Sequence, residues 1–125
     1  MLPKAERLRR RRDFQTVLRT GRRMHHPLVT LYFLPRAAGG RLAAFVVGRR
    51  VSNKAARRNK VRRRLREAYR LRRHQVKSDV WLIFAAQPAA GKANFHQLAA
   101  AVEQLLRQAG LWADRDNMTS EQRDH

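Results

Sequence analysis

The chain has 125 residues, 29 of them Lys or Arg and 9 Asp or Glu, giving a formal net charge of +20. That length suits one domain with a modest core, and a charge of that size repels itself unless a polyanion such as nucleic acid or an anionic membrane surface neutralises it. There is no Cys, which excludes a disulfide framework or a Cys-based zinc site and fits a reducing cytoplasm.

Met1-Leu2-Pro3-Lys4 is charged from the start, so no signal peptide is expected, and no stretch is long enough to span a bilayer. Residues 1–23 hold 9 basic and 2 acidic side chains, and residues 49–73 hold 13 basic side chains and one acid, Glu67. In residues 110–125 the acids Asp114, Asp116, Glu121 and Asp124 outnumber Arg115 and Arg123. Function is therefore expected in the first 73 residues. Residues 1–112 are expected to form one domain, and 113–125 a polar, disordered tail. The N-terminal basic run is expected to be partly disordered when free, because its charges lack counter-charges.

In chain order, residues 11–19 predict a short helix with Phe14, Val17 and Leu18 on one side and Gly21 as the residue after its cap. Leu28 to Leu34 reads as a strand closed by Pro35, and Gly39-Gly40 as a turn. Leu42 to Val47 reads as a second strand, the hairpin partner of the first. A further short strand before Pro27 is allowed by the order but not marked by the residues.

Residues 53–73 follow a helical period, with Val61, Leu65, Ala68 and Tyr69 on one side. Val80 to Ala85 is an apolar run of strand length, and Pro88 and Gly91 punctuate the loop after it. Residues 94–109 predict a second clear helix with Phe95, Leu98, Val102, Leu105 and Leu106 inward. The order describes a small α+β, two-layer αβ sandwich, α-β-β-(β)-α-β-α.

The helix over 53–73 carries the most information. Arg58, Asn59, Arg62, Arg63, Arg66 and Arg70 share a broad face beside the Val61, Leu65 and Ala68 stripe. Guanidinium groups grip phosphate oxygens bidentately. Like charges one turn apart repel, and one acid cannot relieve them. An RNA backbone would. The bland alternative is a solvated basic face that keeps the chain soluble.

Here the chain resembles the bacterial ribonuclease P protein family. Its Arg-Asn-Arg signature stands as Arg58-Asn59-Lys60, followed by Arg62-Arg63 and Arg66-Glu67. Lys60 keeps the charge of the usual Arg but loses its fork. Arg49-Arg50-Val51 sits where the family has a Lys pair, and Asp13-Phe14-Gln15 with Gly21 resembles its Phe…Gly segment. The likeness spans roughly residues 7–108.

The resemblance implies a left-handed βαβ crossover, where sequence physics favours a right-handed one. It implies that the crossover helix contacts a catalytic RNA through Lys54, Arg58, Asn59, Lys60, Arg62, Arg63 and Arg66, with Arg49 beside them. It also implies a cleft for the single-stranded 5′ leader of precursor tRNA, with Phe14 and Tyr32 as stacking candidates. Both aromatics read equally well as core residues. Leu18 stands where the family often has a second aromatic. The chain would be the accessory subunit of an endoribonuclease, one copy per RNA. The RNA and substrate would hold the Mg²⁺ and the RNA would carry out the hydrolysis.

The residues agree in offering no protein active site: no catalytic motif appears, the acids are scattered, and His25-His26 before Pro27 marks a loop. Two other classes fit the charge. One is a structural ribosomal protein. The other is a DNA-binding or membrane-surface protein, but its nearly pure Arg face would discriminate bases poorly, and its apolar stripe is narrow for a lipid interface.

Overall fold

The computed structural model describes residues 2–36 and 40–113. In chain order it contains helix α1 (Arg11–Thr20), strands β1 (Arg22–His25), β2 (Val29–Pro35) and β3 (Leu42–Val46), helix α2 (Ala55–Arg72), strand β4 (Val80–Ala86) and helix α3 (Phe95–Gln108). The expected α+β class and helix–strand order are observed. The Gly39-Gly40 turn lies partly outside the described residues, as do residues 114–125 of the tail.

The four strands form one mixed sheet in the order β1-β2-β4-β3. The expected β2–β3 hairpin is not formed. β2 instead pairs antiparallel with β1 on one side and β4 on the other, and β3 pairs parallel with β4. Burial explains the order. Val80 to Phe84 of β4 are buried on both faces, and an unbroken apolar run belongs in the centre of a sheet. β1 is Arg-Arg-Met-His, largely exposed, as suits a short charged edge. β3, α2 and β4 make a βαβ unit between neighbouring parallel strands.

Alternation sorts the sheet residues onto two faces. Val29, Leu31, Phe33, Leu82 and Phe84 join Val61, Leu65, Ala68 and Tyr69 of α2 and Leu98, Val102, Leu105 and Leu106 of α3 in the main core. Phe45, Tyr69 and Phe84 lie 5.5–5.8 Å apart by ring centroid and fix α2 over β3 and β4. The opposite face holds a smaller cluster of Leu8, Val17, Trp81 and Ile83, with Phe14, Tyr32, Leu34, Leu42 and Ala44 packed on it. Helix α1 thus adds a partial third layer to the expected two.

Gly21 ends α1 for a different reason than expected. Its φ is −77°, so no left-handed cap is formed. A Cβ there would lie 2.5 Å from the Val17 carbonyl oxygen and 2.7 Å from that of Phe33. Only glycine lets α1 turn this closely over β2. Leu18, expected inward, is 43% exposed.

Asn94 caps α3 with a reciprocal box, its side chain accepting from the Gln97 amide and its own amide donating to the Gln97 side chain. After α3, Trp112 pairs with Val76 and ties the chain back beside the end of α2. No helix among the described residues is long and apolar enough to cross a membrane.

Candidate nucleic-acid interface

The cations of α2 divide by what they touch. On one flank Arg57 donates to the Gly91 carbonyl at 3.1 Å and Arg64 to the Ala93 carbonyl at 3.0 Å. Together they clamp α2 to the Pro88–Lys92 turn and the residue after it. A Cβ on Gly91 would meet the Val51 carbonyl oxygen at 3.0 Å, so that turn also sits close under the entry to α2. Arg72 bonds to Glu103 and to the Ala68 carbonyl. These guanidiniums are structural.

Glu67 relieves little of the remaining charge, because it is taken by Arg70 through two hydrogen bonds. The bond from Arg70 holds the Glu67 carboxyl below the usual carboxylate range, against its slight desolvation. Arg70, which shares the basic face by helical geometry, is thereby neutralised.

The other flank and the outer side carry the free charge. Arg66, Arg63 and Lys60 make no hydrogen bond or ion pair among the described residues. Arg62 donates to Asn59 Oδ1 at 2.6 Å. Arg58 is half-buried and donates to the Ser52 carbonyl at 3.0 Å. It therefore holds the turn that leads into α2, with part of its donor set already in use. Lys54 and Arg49 are exposed around the N-terminal end of the helix.

Arg62 and Arg66 line a concavity together with Arg7 and Arg9 of the N-terminal segment, floored by Leu8, Ala44 and Phe45. Leu8 and Ala44 belong also to the cluster under α1. The basic flank of α2 is thus continuous, over the edge of β3, with the face that carries Phe14 and Tyr32.

Phe14 and Tyr32 are both half-buried. Tyr32 lies in a cross-strand row between Arg23 and Ile83, with Ala44 beyond. Each ring packs on the small cluster and keeps part of its surface outside, so the core and the stacking roles are compatible at both positions. Lys60 and Arg63 flank a separate shallow groove with Phe95 on the far side of α2. The predicted residues therefore fall on two sides of one helix and on the α1 face.

Arg7 and Arg9 were missed by the sequence reading. The signal was the N-terminal basic run, whose pairing with α2 could not be read without the fold. Residues 2–8 are seated against β3 and α2, with Leu2 and Leu8 buried and Glu6 supplying a counter-charge. His26 Nδ1 accepts from the Leu28 amide at 3.0 Å, so the His pair shapes the β1–β2 turn.

The family model described as Ribonuclease P matches residues 2–110. The ribonuclease P protein component of Herpetosiphon aurantiacus is 36% identical over 122 residues, covering 98% of each chain. That of Acidothermus cellulolyticus is 41% identical over 108 residues, covering 85% of this chain and 89% of the relative. By fold, the chain is similar to the RNase P protein of Staphylococcus aureus, with a TM-score of 0.79 at 21% identity over 87% of this chain and 99% of that one. The RNase P protein of Thermotoga maritima gives 0.72 at 24% identity over 82% and 96%.

Proposed function

The chain belongs to the bacterial ribonuclease P protein family, and from that premise we propose that it binds the catalytic RNA of this ribonucleoprotein and the 5′ leader of precursor tRNA, supporting endonucleolytic 5′ maturation in the cytoplasm. The observation that carries the reading is the continuity of two surfaces. Cations on α2 suit a folded RNA backbone, and the hollow that Arg62 and Arg66 line leads to half-exposed aromatics under α1.

The division of labour follows from the side chains. Lys60, Arg63 and Arg66 supply point and forked charges for phosphates, and Arg62 presents a guanidinium already oriented by Asn59. Phe14 and Tyr32 offer flat surfaces on which an unpaired base can stack with little sequence preference. Arg49 and Lys54 extend the charge past the start of α2. Phosphodiester hydrolysis by this enzyme class calls for Mg²⁺. Among the described residues no three metal-ligating side chains come together, and we assign the ions to the RNA and substrate.

A salt series tests the reading. Affinity for precursor tRNA bearing a leader should exceed that for the mature tRNA when the protein is assembled with the catalytic RNA, and should fall steeply with salt. Equal affinity for both substrates would remove the leader from the account. A general RNA-binding role, as in a ribosomal protein, would then be the better description.

A further inference from the structure

Before α1, the N-terminal segment carries a single acid, Glu6, among its cations. Its carboxylate accepts a 2.9 Å hydrogen bond from Arg73, just past α2, and stands 3.6 Å from Arg41, just before β3. Arg41 in turn donates to the Val76 carbonyl at 2.9 Å. The three side chains are only 18–22% exposed, so water and salt screen the group less than a surface pair.

On either side of Glu6, Leu2 and Leu8 are buried, the Leu8 amide donates to the Ala43 carbonyl at 2.9 Å, and Arg7 Nε donates back to the Leu2 carbonyl at 3.1 Å. The segment is a strap across β3 and the end of α2. Its outer side brings Arg7 and Arg9 to the concavity that Arg62 and Arg66 line from α2. Four cations around one hollow repel one another, and that repulsion pushes the strap away from the helix.

We propose that Glu6 is a positioning residue for RNA: by holding the strap to Arg73 and Arg41, it keeps Arg7 and Arg9 opposite Arg62 and Arg66. The inference rests on the RNA-binding reading above and deepens it. It also reverses the expectation from charge alone. Removing an acid from a basic surface should tighten RNA binding by simple attraction. Removing this acid loosens the strap and weakens it.

The test uses the full chain and a labelled single-stranded RNA of mixed sequence, with binding read by fluorescence anisotropy and amide exchange measured on the same proteins. Glu6→Gln should bind about tenfold more weakly, near the low end of what losing one hydrogen bond between charged groups costs. Its Leu8 amide should exchange faster while the β4 amides stay protected. Glu6→Asp should recover most of the affinity. Glu103→Gln, on α3 outside the concavity, should bind at least as well as wild type. Wild-type affinity or better in Glu6→Gln, or unchanged Leu8 protection, overturns the positioning role and leaves the RNA-binding reading standing. Failure of the wild-type protein to bind the RNA overturns both.

Discussion

Arg62 donates a 2.6 Å hydrogen bond to the side-chain oxygen of Asn59, one turn earlier on α2. The neutral residue in the middle of the basic run therefore acts on a cation. It takes one donor of the guanidinium and leaves the others without a bond among the described residues. Asn59→Ala should weaken binding to the catalytic RNA by roughly threefold to tenfold, the equivalent of one modest hydrogen bond, while the salt slope stays at the wild-type value. Arg62→Ala should weaken binding and also lower the slope of log K against log salt by roughly 0.7–0.9, because one phosphate contact is lost. Titrations at four or five salt concentrations separate the two.

Neighbouring arginines on α2 should behave in opposite ways. Arg57 and Arg64 hold the Gly91 and Ala93 carbonyls, so Arg57→Ala and Arg64→Ala should each lower stability by about 1–2 kcal/mol. Their effect on the salt slope should be small. Among the described residues Arg63 makes no such contact, so Arg63→Ala should leave the denaturation midpoint unchanged or raise it, and should reduce RNA affinity. Urea melts and RNA titrations on the three variants check this.

Leu18 is exposed one turn beyond Phe14. Leu18→Phe places a second aromatic beside the first without disturbing the core. Stacking of one base on an aromatic is worth about 1–3 kcal/mol at full strength, and a half-exposed ring should realise the lower end. Leader-bearing precursor tRNA should therefore bind severalfold more tightly, with mature tRNA unaffected. Competition between the two substrates gives the readout.

Tyr69 has its hydroxyl buried, with no hydrogen-bond partner among the described residues. Burial, chiefly, pushes its pKa well above the usual tyrosine value, with Glu6 adding to the effect and Arg41 and Arg73 opposing it. The folded state thus favours the neutral phenol. That contribution is fully present below the unfolded pKa of about 10 and is lost as pH rises from there towards the folded pKa. Tyr69→Phe should match or exceed wild-type stability at pH 7, since no bond is lost. It should also lose less stability than wild type above about pH 10, as thermal melts across that range would record.

Elements with their own periodicity were legible in the sequence. α2 and α3 announced themselves through apolar residues at helical spacing, and β4 through an unbroken apolar run. β1 was not legible, because Arg22-Arg23-Met24-His25 at an exposed edge has no alternation to read. Nor was the strand order, since both β2 and β3 look like partners for a hairpin. The pairing is decided by β4, which must be covered on both sides. The glycine at 21 was visible, but its reason was not. The close approach of α1 to β2 is a tertiary fact.

The candidate interface divides in the same way. Charge density on α2 was plain, and Lys60, Arg62, Arg63 and Arg66 stand free or outward as a basic face requires. Which arginines spend their donors inside the protein depends on carbonyls that lie far off in sequence, such as Gly91 for Arg57. The partnership of Arg7 and Arg9 with Arg62 and Arg66 depends on a strap whose seat no local pattern encodes.

The most direct measurement is reconstituted cleavage of 5′-labelled precursor tRNA by the catalytic RNA at limiting Mg²⁺. It should be run with the wild-type protein and with a variant carrying both Arg62→Ala and Arg66→Ala. The wild type should restore cleavage at the mature 5′ end, and the double variant, though folded, should restore little of it. Wild-type protein that binds the RNA without stimulating cleavage would rule out the subunit role, and a double variant as active as wild type would rule out α2 as the docking face.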